Sequence, residues 1–488
     1  MDYTKQKLEF SKDLLPTKPE EREWKVGNYF SIWMGSVHNI PTYVTIGGFF
    51  ALGLSVWQVF WAIVTASIIL AIFMVLNGHA GAKYGIPFSI LLRTSYGVKG
   101  ALLPGILRGC IAAIMWFGFQ TYAGSIAFTV LIGKLWPGYL ELGGEWNLFG
   151  LNLPGLISFG LFWGLNVLFI YGGISALGKF LKVLSPLVYL VFGGMAIWAI
   201  NMAGGITPIL QYTPKGIEGN SIIVFLGCVS VILATWASPI VNVSDFTREA
   251  RSQSDQAKGQ ILGLIFTYLL FAFTSISLIV GSEIALGTPI WNVLDVIEQF
   301  DSKFVIAISV LTICLTSLSV NITGNIIPAG YQLSALFPKK LTFKTGALVA
   351  AVLGVMIMPW KLMENPTSIF IFLNIIGGLL GPVSGVMLAH YYVIEKKELN
   401  MKALYSIGGQ YTYNNGFHIP AIVATIIAGA FSLIGQFVHA LKPVYELSFF
   451  SGTILAFIVY IVLVKNRLFI SKKEQEQEQE QQDLLKEA

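Results

Sequence analysis

Gly35-Ser36-Val37-His38-Asn39-Ile40-Pro41 and Ala234-Thr235-Trp236-Ala237-Ser238-Pro239-Ile240-Val241-Asn242 are the two stretches on which the fold turns. Each interrupts a long apolar run with polar side chains beside a proline. Proline removes a backbone donor and clashes with the carbonyl four residues back. In hydrocarbon such a break is tolerated only where protein or water supplies the missing partners. Two broken helices at corresponding places in two halves of a membrane chain point to a binding site near the bilayer centre.

The surrounding sequence says that the solvent is lipid. Of 488 residues, 55% are hydrophobic and 12% charged, with a mean hydropathy of +0.70; a soluble chain carries about 25% charged residues. Apolar stretches near the ~20 residues that cross a bilayer recur along nearly the whole chain. They predict twelve spans, at 28–53, 56–77, 101–132, 153–172, 181–203, 220–243, 259–283, 303–327, 345–359, 366–394, 417–439 and 446–466. An even number puts both termini on one side. Alternating segments carry 25 Lys/Arg on the side of the termini and 5 on the other, with Arg108 inside the third span. That alternation predicts both termini in the cytoplasm, and a missed helix would have scrambled it. The net charge of +5 is the same bias, and no basic block suits a nucleic acid.

The segment 1–27 is polar, without an apolar leader, so the first span is expected to act as its own insertion signal. The tail 467–488, with its EQEQEQEQ run, reads as solvated. Cys110, Cys228 and Cys314 fall inside apolar segments without metal-ligand spacing and read as small buried hydrophobes.

The polar residues inside the spans carry the chemistry. Trp116 and Gln120 stand at i and i+4 on one face of the third span, and Ser319, Asn321 and Asn325 interrupt the eighth. Taken singly, each amide reads as helix–helix glue. With Trp236 and Asn39 they form a candidate pocket of aromatic walls and amide edges. A flat ring stacks on Trp, while Gln and Asn each offer a donor and an acceptor. Such a site suits lactams, ureides and nucleobases. No Lys or Arg is expected near the breaks, so the substrate is expected to be neutral. Asp245 and Arg248 are expected to pair locally, and Gly377-Gly378 to let a gate bend. An enzyme would need a catalytic cluster, but His38, His79, His390, His418 and His439 lie on separate segments. A channel would need a filter motif, which is not found.

At these residues the chain resembles the nucleobase–cation symporter-1 family, which includes hydantoin, allantoin, uracil and cytosine permeases. The likeness is carried by SIWMGSVHNIPTYVTIGGFFALGL (31–54), NGHAGAKYGIPF (77–88), RTSYG (93–97), MWFGFQTYAGS (115–125), NVSDFTREA (242–250), TGNIIPAGYQ (323–332), MPWKLMEN (358–365) and GGLLGPVSGVMLAHYY (377–392). Within the family the wording is most similar to the bacterial allantoin permeases.

The resemblance implies an all-α, leucine-transporter-like fold. Its five-plus-five inverted repeat would occupy 28–203 and 204–394, with a loop and two further helices over 395–466. It implies a substrate ring held between Trp116 and Trp236, with Gln120 and Asn325 on its edge and Asn321 beside them. Asn39 stands where the family pattern has Gln, and a shorter side chain admits a bulkier ligand such as allantoin. The family's sodium site maps its carbonyls onto Gly35, His38 and Thr316 and one hydroxyl onto Ser319. Its second hydroxyl position is Val320, which cannot coordinate a cation. The coupling ion is either sodium or a proton, with His38 one candidate proton carrier beside other proton routes, and facilitated diffusion is the uncoupled alternative. The implied protein is a lipid-embedded monomeric symporter working by alternating access, without a cofactor. Uracil, cytosine and hydantoin are the alternative substrates.

Overall fold

Polar residues announce five of the membrane helices. The side chains of Ser55, Asn152, Asn220, Ser252 and Ser302 each accept a hydrogen bond from a backbone N–H in the first turn that follows. Those first-turn donors have no partner within the helix, so the cap fixes where each apolar run begins to wind. Gly85 and Gly287 close two of these helices in the left-handed conformation, at φ 73° and 76°.

The computed structural model describes residues 12–466 except 291–292, 301, 363–365 and 407; for 172–182, 298, 362 and 366–369 it describes the backbone alone. The predicted polar tail 467–488 and the first eleven residues lie outside the described residues. The membrane helices are α1 (Val26–Val37), α2 (Ile40–Ala51), α3 (Val56–Tyr84), the short inter-span helix α4 (Phe88–Tyr96) and α5 (Leu102–Leu135). They continue as α6 (Leu153–Met202), α7 (Ser221–Thr235), α8 (Ala237–Asn242), α9 (Gln253–Leu286) and α10 (Lys303–Leu336). The set closes with α11 (Phe343–Met356), α12 (Pro366–Leu388), α13 (Ile419–Gln436) and α14 (Ser448–Lys465).

Among the described residues nine stretches are long and apolar enough to cross a membrane. The three shorter apolar helices, Ile40–Ala51, Ser221–Thr235 and Phe343–Met356, fall in the first, sixth and ninth predicted spans. The first and sixth spans are broken where the prolines predict: His38 and Asn39 separate α1 from α2, and Trp236 separates α7 from α8. The fourth and fifth spans, predicted as separate helices, form one helical run with two apolar stretches, Leu153–Tyr171 and Val183–Met202. Leu168, Val183, Leu190 and Ile222 are largely exposed, as suits side chains that face lipid tails.

Lipid tails are as apolar as leucine, so helices in a membrane are held by close packing and hydrogen bonds rather than by expulsion of water. On α12, Gly377, Gly381 and Gly385 recur every four residues on one face. A Cβ on Gly377 would sit 2.9 Å from the Ala234 Cβ, and one on Gly381 would sit 2.7 Å from the Phe449 carbonyl. One on Gly385 would run into the Thr453 carbonyl. A Cβ on Gly378 would come 2.5 Å from Leu433. These glycines are therefore close-packing positions against α7, α13 and α14, and a gate bend at Gly377-Gly378 would have to part those contacts.

At the end of the bundle where α1 starts, the predicted tail is partly a packed strap. Arg248 donates to the Thr17 Oγ1 at 2.8 Å and to the carbonyls of Asp13 at 2.9 Å and Leu15 at 2.8 Å. Leu14 is fully buried, and the Tyr405 hydroxyl donates to its carbonyl at 2.9 Å. Trp24 pairs with Ala250 as a short parallel bridge. The expected Asp245–Arg248 pair does not form: Arg248 turns to the strap and to Glu249 at 3.6 Å, while Asp245 accepts from the Phe88 N–H and from Asn242.

Gly385→Leu is expected to destabilise the bundle by about 1–3 kcal/mol through overpacking, read as a lower melting temperature of detergent-purified protein. Gly160→Leu, at a glycine with open space around it, is expected to leave the melting temperature near that of the unchanged chain.

Candidate functional site

Each break is organised by a side chain from its own sequence neighbourhood. Asn39 caps α2: its Oδ1 accepts from the Thr42 N–H at 3.3 Å and the Thr42 hydroxyl at 3.0 Å. Its Nδ2 donates to the Ser36 carbonyl at 2.8 Å and the Val37 carbonyl at 3.3 Å. At the second break the Trp236 N–H reaches the Leu233 carbonyl at 3.1 Å, and the Ile240 N–H returns to the Trp236 carbonyl at 2.9 Å. The chain therefore re-enters a helix at once, with the indole presented at the joint.

Between the two breaks lies a small cavity. Asn39, Trp116, Gln120, Trp236 and Asn325, five of the six side chains singled out by sequence, line it. Trp116 is held edge-on by Phe372 at a centroid distance of 5.1 Å, and Trp236 by Trp33 at 5.6 Å. Edge-to-face packing of this kind fixes ring orientation. The indole Nε1 of Trp116 and the amide Oε1 of Gln120 are buried with no hydrogen-bond partner in the protein. One is a donor and the other an acceptor, the complement of a ring carrying both C=O and N–H.

Asn321 is the sixth. It does not line the cavity but stands behind it, donating to the Thr121 hydroxyl at 2.9 Å while its Oδ1 accepts from Asn325 Nδ2 at 2.9 Å. It orients Asn325. Asn39 also differs from expectation: it borders the cavity, yet both ends of its amide serve the backbone, with Gln120 Nε2 a further donor at 3.4 Å. Its geometry is that of a helix cap that steadies Gln120.

The cation candidates divide. The Ser319 hydroxyl, the one side-chain candidate, is fully buried without a protein partner, whereas Thr316, Gly35 and His38 are candidates through their carbonyls, and the Thr316 hydroxyl is itself engaged with the Ile313 carbonyl at 2.9 Å. Gly35 and His38 lie at the end of α1, which packs on α10. The His38 ring does not border the cavity. It meets the Tyr43 hydroxyl at 3.0 Å and is boxed by Phe192 at 4.4 Å and Phe271 at 5.6 Å. Val320 lines the cavity as an apolar wall.

The expectation that no Arg or Lys lies near the breaks is overturned. Arg108 is fully buried. Its Nε donates to the Ser238 carbonyl at 2.8 Å and Asn242 Oδ1 at 2.9 Å, and its Nη2 to the Gly324 carbonyl at 2.5 Å. The signal was present, since a lone charge inside an apolar span marks a functional place by default; sequence distance hid its partners. Sequence also hid the approach of His390 and His418, whose rings lie 6.2 Å apart beside Tyr460. Among the described residues no cluster of His, Cys, Asp and Glu could hold a metal.

A polytopic helical bundle whose two broken helices meet at a central cavity has the architecture of a secondary transporter. Residues 16–452 match the family of permeases for cytosine/purines, uracil, thiamine and allantoin, and the chain belongs to that family, the nucleobase–cation symport-1 transporters. A relative from Escherichia coli (strain K12) is 52% identical over 460 residues, 94% of this chain and 95% of its own length. The allantoin permease of Bacillus subtilis (strain 168) is 47% identical over 456 residues, 93% of each. Among solved structures, Mhp1, a family member in a closed conformation with bromovinylhydantoin bound, superposes with a TM-score of 0.79 at 24% identity over 95% of this chain and 98% of that one. The fold is thus the leucine-transporter-like one implied by the resemblance, and the chain is a multi-pass membrane permease rather than an enzyme.

Trp116→Ala and Gln120→Ala are expected to abolish uptake at an unchanged membrane level. Asn39→Ala is expected to act first on stability, by the ~0.5–2 kcal/mol of a lost helix cap. Immunoblots of membranes beside uptake assays separate the two effects.

Proposed function

We propose that this permease imports allantoin across the inner membrane by alternating access, with both termini in the cytoplasm and the repeats divided at 28–203 and 204–394. The observation that carries the reading is the cavity between the breaks, with two indoles on its walls and an unpaired donor and acceptor at Trp116 and Gln120. Allantoin offers a small ring for the indoles and a dense set of N–H and C=O groups for the amides. Identity of 47% to an allantoin permease over 93% of both chains favours this ligand over other members of its class.

In this reading Trp116 and Trp236 sandwich the ring, while Gln120 and Asn325 bond its edge. Asn321 and Asn39 hold those two amides in place. The site takes a neutral ligand because its lining carries no charged side chain. Behind that lining Arg108 meets the Ser238 and Gly324 carbonyls and Asn242 through Nε and Nη2, its Nη1 being without a protein partner, and Asn242 in turn donates to Asp245 at 2.9 Å. The partners of the chain are therefore a small heterocycle and lipid, with one copy of the chain sufficient for transport.

For coupling, Gly35, His38, Thr316 and Ser319 remain the cation candidates. A hard cation needs several oxygens, and Val320 brings none to a position where the family pattern has a hydroxyl. The boxed His38 ring has no contact with the cavity, so its backbone is the better candidate for a coupling role. Uptake is accordingly expected to persist when external sodium is replaced by choline, and Val320→Thr to make it more sodium-dependent. A collapse of uptake in choline would instead establish sodium coupling with the ligands present.

The substrate is tested by uptake of radiolabelled allantoin into cells expressing the chain, against excess unlabelled allantoin, hydantoin, uracil and cytosine. Saturable uptake, blocked best by allantoin, is the expected result. Uptake of labelled uracil or hydantoin without allantoin would overturn the substrate while leaving the pocket.

A further inference from the structure

We infer that Arg108 is a positioning residue for the substrate: from behind the cavity it fixes α8 and the π-turn of α10 relative to α5, and so sets which ring the site selects. The inference rests on the cavity being the substrate site.

Arg108 lies in a π-helical stretch of α5, Ile106–Ala112, two turns before Trp116 on the same helix. A second π-turn, Ile322–Ile326, interrupts α10 and carries Gly324 and Asn325. π-turns loosen the regular backbone ladder and gather at functional places. Here the cause is legible, because Pro328 has no N–H to give the Gly324 carbonyl four residues back. Arg108 Nη2 supplies a donor to that carbonyl. Its Nε supplies another to Ser238, in the short helix that follows the Trp236 joint. One guanidinium thus ties its own irregular segment to two others, 130 and 216 residues away in sequence. Each segment, or the helix continuing from it, contributes cavity residues: Trp116 and Gln120, Ser238 and Pro239, Gly324 and Asn325.

A planar fork with fixed donor angles locks distances and orientation in a way that a lysine ammonium does not. The fork is itself held. Asn242 accepts from Arg108 and donates to Asp245, whose other oxygen accepts from the Phe88 N–H at 2.8 Å. Phe88 begins α4, so the registration of the cavity runs by hydrogen bonds to the inter-span helix. Since no atom of Arg108 lines the cavity, its effect on a ligand is exerted through Asn325 and the Trp236–Pro239 segment.

The test uses the full-length chain carrying Arg108→Lys, Arg108→Gln or Asn242→Ala, with Trp116→Ala in parallel. Membrane level, melting temperature, uptake KM and Vmax are measured with whichever labelled ring the unchanged chain takes up. The ranking of allantoin, hydantoin and uracil as competitors is measured alongside. The expected result is a KM raised about tenfold or more, a Vmax per transporter within about twofold, and a flattened competitor ranking. Lys is expected to rescue less than half of the Gln defect, because charge without the fork does not restore the geometry. If Arg108→Gln fails to reach the membrane, Asn242→Ala, which keeps the cation, carries the test with a smaller shift in the same direction. Variants at normal membrane level with unchanged KM and ranking would overturn the inference, as would losses that merely track melting temperature and are equal for all rings. Normal uptake by Trp116→Ala would sink the cavity reading itself. Loss of uptake in that variant beside a normal Arg108→Lys would sink the role of Arg108 alone.

Discussion

A backbone inside hydrocarbon has no water to fall back on, and the rest of this structure depends on how that debt is met. Proline at 41, 239 and 328 withholds an N–H from carbonyls in three different spans. The chain answers with side chains rather than with more helix. Asn39 closes the first gap with both ends of its amide, and Arg108 reaches across the bundle to the sixth and eighth spans. These answers converge, so the irregular segments lie together around the cavity. The candidate site is thus built from the places where regular structure failed.

Much of the fold was legible because lipid imposes a simple grammar. Apolar length marked the crossings, and the alternation of basic loops agreed with their number. The two breaks were visible as proline beside polar residues, and the face shared by Trp116 and Gln120 as a four-residue spacing. What stayed hidden was everything decided by contacts distant in sequence. Arg108 could be seen as a charge inside a span, but not that it would meet carbonyls in two other spans. Gly377-Gly378 read as a place for a gate to bend, because only the opposing surfaces of α7, α13 and α14 show that the space beside these glycines is filled by neighbours. Asn39 was recognisable as a polar residue at the break. Whether it faces a ligand or its own backbone is a question of geometry.

The same contrast applies to charge. The pocket was expected to hold none, and its lining does hold none. Directly behind that lining, however, stands a guanidinium whose compensation is delegated through Asn242 to Asp245. A buried cation left without partners would be strongly destabilising, by about 3–5 kcal/mol when one member of a buried pair is removed. The site can therefore present a neutral face only while the chain of bonds behind it is intact. Neutrality at the cavity wall and order in the surrounding helices are one property seen from two sides.

The strap at the start of the chain has a consequence for how the protein comes into being. Residues 13–17 precede each of their anchors in the sequence: the Gly85 carbonyl, which accepts from the Thr17 N–H at 2.9 Å, then Arg248, then Tyr405. Thr17 can therefore dock once Gly85 has been made, whereas the bonds to the Asp13, Leu14 and Leu15 carbonyls wait for Arg248 and Tyr405. The strap is thus completed in steps by three distant parts of the chain, the last of them the Tyr405 hydroxyl on the Leu14 carbonyl.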